Sequence, residues 1–244
     1  MNAVRAVGRY AGVPVFVAVV LALWFYAAYQ TPLDPIEAPK MTSSYLVGKV
    51  IEHIALSGTA LVLVLLIAIP LGIALTRPWA ARISGPVAAV AGLGLAIPSI
   101  GVIVFFATLA LIGFTWAVVA LVIYTILPVL RNTMVGLQQV DPFVIESAKG
   151  MGMSKRQLFW KIEMPLAVPV MLAGVRTGLI LVVGTAALAT FTDGGGLGDV
   201  INSGILLFRF TVLYTGALLA ASLALLVDYL GGIAEYYLRP KGLR

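Results

Sequence analysis

Two ionisable side chains sit where water is scarce. Arg176 and Asp228 each lie about eight residues inside a long apolar run, roughly 12 Å at the rise of an α-helix. A lone charge at such depth costs about 2.5–3.5 kcal/mol on helix-insertion scales. Opposite signs at matching depth therefore predict a pair sharing a polar cavity, or two side chains that snorkel separately to the interface. Elsewhere the chemistry is sparse. Glu52 and His53 stand at the start of another apolar run, but one histidine and one carboxylate are too few for a metal site and imply interfacial polarity. Asp193 and Asp199 flank the run Gly194-Gly195-Gly196-Leu197-Gly198, either as gate residues or as solvated loop carboxylates. No G-x4-G-K-[ST] loop occurs and no strand precedes these glycines, so they predict an external turn or gate rather than a phosphate cradle. No catalytic residue and no metal site is expected.

The elements that must position these groups are membrane spans. Hydrophobic residues make up 61% of the chain and charged residues 11%, against about 25% charged in a soluble domain. Six runs are long enough, or nearly so, to cross a bilayer: 12–29, 54–75, 86–112, 115–130, 166–190 and 211–235. The fold expected is all-α, with six transmembrane helices in one membrane domain over residues 1–244. The net charge of +6 is then a matter of topology rather than a nucleic-acid signal. Arg5 and Arg9, Arg77 and Arg82, the basic residues from Arg131 to Lys161, and Arg239, Lys241 and Arg244 all fall on one side of the six spans. Lys40, Lys49 and Arg209 fall opposite. By the positive-inside rule both termini are cytoplasmic. The first run could instead be a cleaved signal peptide, but it is longer than such peptides and ends in Trp24, Phe25, Tyr26 and Tyr29, which suits an interfacial anchor. Cysteine is absent.

Between the fourth and fifth spans the apolar pattern breaks at "ESAKGMGMSKRQLFWKIEMP", Glu146 to Pro165. Asp141 followed by Pro142 starts a helix that Gly150 and Gly152 stop. Ser154 with Gln157 fits a capping box for a second helix, which Pro165 is expected to end. Such a two-helix elbow, residues 141–165, can present a surface to a partner or lie on lipid headgroups.

The order Glu146-Ser147-Ala148, Gly152, Ile162, Pro165 closely resembles the E-A-A-x3-G-x9-I-x-L-P loop of permease subunits of bacterial ABC importers. Ser147 and Met164 replace its alanine and leucine. The resemblance implies a coupling elbow, with Asp141, Glu146, Ser147, Ala148, Gly150, Gly152, Ser154, Ile162 and Pro165 meeting a cytoplasmic ATPase. It also implies two ATPase subunits that carry ATP and Mg, with no cofactor on this chain, and a second permease chain, identical or related. A bacterial inner-membrane location follows.

Outside the elbow, "ALTRPW", "IPS", "IGF", "LPVLRNT", "KGMGMS", "LAGVRTG" and "GGGLGD" resemble the osmoprotectant branch, whose substrates are glycine betaine, choline, carnitine and related amines. The chain ends at Arg244 without a fused binding domain, so a separate extracytoplasmic binding protein is expected. Methionine permeases share the elbow and a glycine-rich segment and are the alternative within the class. An ATP-independent secondary transporter would explain the spans but not the elbow.

Further pathway or gate candidates are Pro98, which should kink or break the third span, and Thr185, Thr190, Asp193 and Gly195, beside Arg176 and Asp228. Gly174 and Gly178 have the small-x3-small spacing of close helix packing and could equally border a narrow path. Aromatic residues including Phe105, Phe106, Trp116, Tyr124, Phe208, Phe210 and Tyr214 could face an ammonium group, though core or lipid-facing roles explain each more simply.

Overall fold

Proline and glycine punctuate the chain, and where they fall decides which apolar runs become single helices. The computed structural model describes residues 3–30, 32–109 and 111–238, with side chains from residue 11 onward. The basic residues Arg239, Lys241 and Arg244 lie outside the described residues, as do the side chains of Arg5 and Arg9.

Ten helices follow in order: α1 Ala3–Ala28, α2 Ser43–Leu75, α3 Ala81–Ala96, α4 Ser99–Thr108, α5 Phe114–Gln138, α6 Pro142–Gly150, α7 Lys155–Leu158, α8 Met164–Thr185, α9 Leu197–Leu206 and α10 Phe210–Leu238. Short 3-10 turns and one π turn join some of them. Among the described residues, six helical stretches are long and apolar enough to cross a membrane.

Several expected boundaries move, the fourth span for one running on to Gln138, and three of the changes bear on the site. The third run does not cross as one helix over 86–112, because Ile97 is extended at ψ 134° ahead of Pro98 and the chain restarts as α4. A proline disfavours α geometry in the residue before it, so the span is Pro78–Ala96 and α4 is a separate short helix. The second span starts at Ser43 rather than residue 54, which brings Lys49, Glu52 and His53 into α2. Pro165 does not end the elbow's second helix. It occupies the first turn of α8, where its missing N–H is tolerated, and a π turn over Phe159–Glu163 carries α7 into α8. Lys155–Thr192 is thus one continuous helical run.

Around these spans the apolar surface is inverted relative to a water-soluble protein. Leu23, Leu66 and Val90 are each about two-thirds exposed, as suits a lipid-facing surface, while the core is built largely from small and medium residues. Leu56 and Ala60 of α2, Val118 and Leu121 of α5, and Val182 and Val183 of α8 form its centre. α10 packs on α8 and α9, α1 on α10, and α3 on α5. Trp24 Nε1 donates to Thr215 Oγ1 at 2.9 Å, which fastens α1 to α10.

Glycine sets how closely α5 and α8 approach. A Cβ at Gly174 would collide with Asn132 Cβ and stand 2.8 Å from Pro128 O, and one at Gly178 would meet Val129 Cγ2 at 2.9 Å. The packing reading of this pair is therefore realised, by contact with α5. Gly174→Ala is expected to lower stability by about 1–3 kcal/mol through overpacking. Gly184→Ala, with nothing within 4 Å, should leave it unchanged or higher. Thermal unfolding of the two variants in detergent checks the contrast.

Candidate functional site

The elbow is assembled by local hydrogen bonds. Asp141 Oδ1 accepts from Phe143 N at 2.8 Å and so caps α6, with Pro142 at its first position. After Gly150 the chain turns at Gly152, whose φ of +78° strains any side-chain-bearing residue. Ser154 and Gln157 form the expected reciprocal cap: Gln157 N donates to Ser154 Oγ at 3.3 Å and Ser154 N to Gln157 Oε1 at 2.9 Å. Ala148 and Leu158 are buried, and Ile162 is half-buried inside the π turn. Glu146, Ser147 and Lys149 are exposed, together with Phe143, Met151 and Trp160. Large apolar side chains standing beside charges make a surface suited to a partner rather than to water alone.

Within the spans, Arg176 and Asp228 meet. Arg176 Nε donates to Asp228 Oδ1 at 2.6 Å and Nη2 to Oδ2 at 3.0 Å, while Nη1 lies 3.5 Å from Glu235 Oε2. The fork geometry of guanidinium and carboxylate is satisfied on both sides. The guanidinium lies against Gly232 of α10, where a Cβ would stand 3.4 Å from its central carbon, an ordinary packing distance. Separate snorkelling is not what the chain does.

At the opposite end of α2 lies a network that sequence reasoning missed. Lys49 Nζ bridges Glu52 Oε2 at 2.7 Å and Asp199 Oδ2 at 2.8 Å. Glu52 Oε2 also accepts from Gly196 N at 2.9 Å. His53 is not interfacial: it is fully buried, with Nδ1 accepting from Leu197 N at 3.3 Å and Nε2 3.0 Å from Val183 O. Accepting at Nδ1 places the ring proton on Nε2, which donates to that carbonyl. The longer α2 explains the difference, because it carries His53 below the mouth and against the glycine turn. Gly195 and Gly196 have φ of +82° and +91°, and a Cβ on Gly195 would meet Glu52 Oε2 at 2.7 Å. The i,i+3 spacing of Lys49 and Glu52 was the available signal, visible only once α2 is extended.

Asp193, at left-handed φ 55°, and Thr190 join Asp199, Lys49, Lys40 and Tyr45 around an open recess of about 360 Å³. Thr185 stands apart, with Oγ1 donating to Leu181 O within its own helix at 2.7 Å. Pro98 caps α4 at the break already described. The aromatic candidates fall into separate groups: Phe106 packs on Phe105 and Trp116, and Tyr214 on Phe210 and Trp24. Arg209 pairs with Asp34 at 2.6 Å in an outer connection. The Asp34 carboxyl is held below its ordinary pKa, chiefly by the backbone N–H of Glu37.

Six helical stretches long and apolar enough to cross a membrane, a polar elbow and an ion pair between two of them describe a helical membrane protein. Residues 68–241 match the binding-protein-dependent transport system inner membrane component family, and the chain belongs to it. It is 39% identical over 82% of its length, and 91% of the relative's, to the choline transport system permease protein OpuBB of Bacillus subtilis (strain 168). Over 91% of its length and 92% of the relative's, it is 36% identical to the osmoprotectant import permease protein OsmY of Salmonella typhimurium (strain LT2). The fold matches the methionine ABC transporter MetNI in an inward-facing conformation with a TM-score of 0.69, over 81% of this chain and 99% of that one, at 24% identity. An amino acid ABC transporter with histidines matches at 0.68 over 85% and 100% of the two chains, at 17% identity. At these identities the structural likeness is one of fold. Membership in a binding-protein-dependent system sets aside the secondary-transporter alternative.

If the intramembrane pair acts as a unit, Arg176→Asp and Asp228→Arg should each reduce the yield of folded protein, and the double exchange should recover much of the loss. Size-exclusion profiles of the solubilised variants read this out. Equal loss in all three would show that the pairing contributes nothing.

Proposed function

We propose that this chain is the permease of an ATP-driven importer for osmoprotectants of the glycine betaine, choline and carnitine kind. The observation that carries the substrate class is the 39% identity to a choline permease over 82% of this chain and 91% of that one. The methionine alternative has a likeness of fold at 24% identity for its support. A binding protein delivers the substrate at the outer recess, and a second permease chain completes the pore.

Two ATPase subunits, holding ATP and Mg, dock on the elbow through Glu146, Ser147, Gly150 and the neighbouring exposed apolar side chains. Asp141, Gly152 and Ser154 set the elbow's shape, and Ala148, Ile162 and Pro165 seat it on the spans. No cofactor is held by this chain. Arg77, Arg82 and Arg131 mark the elbow's side as cytoplasmic, and both termini share it. Closure of the ATPases displaces the elbow, and rigid movement of the attached spans alternates access. Asp193, Gly195 and Thr190 belong to the outer gate, Thr185 borders the path below it, and the break at Pro98 lets α4 move against α3. Arg176 and Asp228 hold α8 to α10 at the inner half of that path.

Uptake of radiolabelled glycine betaine, choline and carnitine by a strain lacking its own osmolyte importers tests the reading directly. Glu146→Lys, on the exposed elbow, and Gly152→Val, strained at φ +78°, are expected to abolish uptake while membrane insertion persists. Wild-type uptake in either variant, or uptake by the parent chain that survives inactivation of its ATPase partner, contradicts it.

A further inference from the structure

Where the end of α2 meets the elbow, one of the side chains in contact is charged. Arg77, just beyond α2, donates from Nη2 to Glu163 Oε2 at 2.9 Å, and its guanidinium carbon stands 5.0 Å from the centre of the Phe159 ring. Its Nε donates back to Ile73 O of α2 at 3.3 Å. Phe159 and Glu163 are the first and last residues of the π turn. Arg77 therefore holds both ends of the one irregular turn between the elbow and α8.

That turn is a mechanical choice. Met164 N reaches Phe159 O, a bond one residue longer than in an α-helix. Conversion to α geometry would rotate the elbow against α8 by about 100° and shift it by about 1.5 Å. Phe159 and Met164 pack against Leu137 and Met171, with Ile69 and Ile73 of α2 on the same cluster. The Glu163 side chain is only 14% exposed, so solvent screens its ion pair less than it would a surface pair. A guanidinium can stack on the ring and pair with the carboxylate at once; an ammonium lacks the planar fork.

We infer that Arg77 is a positioning residue that fixes the π turn and ties the elbow to α2 as well as to α8, so that elbow displacement drives two spans together. This rests on the coupling reading above. Removing the tie leaves ATPase docking intact but lets the π turn absorb the motion, so hydrolysis runs without transport.

The test uses the chain assembled with its ATPase and binding protein in proteoliposomes. Uptake of whichever of glycine betaine, choline or carnitine the wild-type complex carries is measured beside phosphate release. For Arg77→Gln, hydrolysis is expected to continue while substrate moved per ATP falls about tenfold, within the usual range of coupling between linked sites. Arg77→Lys should fall in between, and Arg77→Gln with Glu163→Gln together should lose no more than Arg77→Gln alone. An unchanged ratio in Arg77→Gln, a proportional fall of uptake and hydrolysis, or additive losses in the double variant would overturn the inference. Should Arg77→Gln not assemble, Glu163→Gln carries the same expected fall in the ratio and the same overturning result. A wild-type chain that retains no ATPase would instead defeat the coupling reading, and this inference with it.

Discussion

The structure depends on one unbroken helical run. Lys155–Thr192 spans roughly 57 Å at the α-helical rise, enough to reach from the elbow through a bilayer to the opposite mouth. Glycine at Gly174 and Gly178 lets its backbone lie close against α5 at those positions. At its outer end the run passes into the glycine turn that Glu52 and His53 of α2 clamp from the other side. With its π turn held, an element so long and so closely packed carries a shift at one end toward the other.

Charge is arranged along that run in pairs. Arg77 with Glu163 stands at the inner end, Arg176 with Asp228 deeper, and Lys49 with Glu52 and Asp199 at the outer end. The first joins the rod to the end of α2, the second joins it to α10, and the third joins α2 to α9, which follows the glycine turn. Ion pairs removed from bulk water contribute modestly to net stability, but breaking one without repairing it is strongly unfavourable. Such contacts favour discrete arrangements over gradual sliding, which suits a protein that must switch access between two faces.

Much of this was legible in the sequence because its strongest signals are local. Apolar length gave the number of spans, the Asp141-Pro142 and Ser154-Gln157 pairs gave the elbow's caps, and matched depth left two readings of Arg176 and Asp228, of which the structure shows the pair. The errors came where helix continuity was decided by packing. Pro165 resembles a stop signal, yet the preceding π turn and burial of Phe159 and Met164 carry the helix past it. Starting α2 too late hid the Lys49–Asp199 bridge, which spans 150 residues of sequence and leaves no periodic trace. Arg77 counted only as a topological charge, since its partners lie 82 and 86 positions away.

The most direct measurement of the central claim is the separation of α2 and α9 in the assembled transporter. The chain has no cysteine, so spin labels at Val47→Cys on α2 and Ile205→Cys on α9, both exposed, in one labelled copy beside an unlabelled second permease chain, report that separation. If motion enters at the elbow and travels along the rod, binding of ATP to a hydrolysis-defective ATPase partner changes the distance distribution. The same distribution with and without ATP, in a complex whose hydrolysing counterpart transports, would contradict the account.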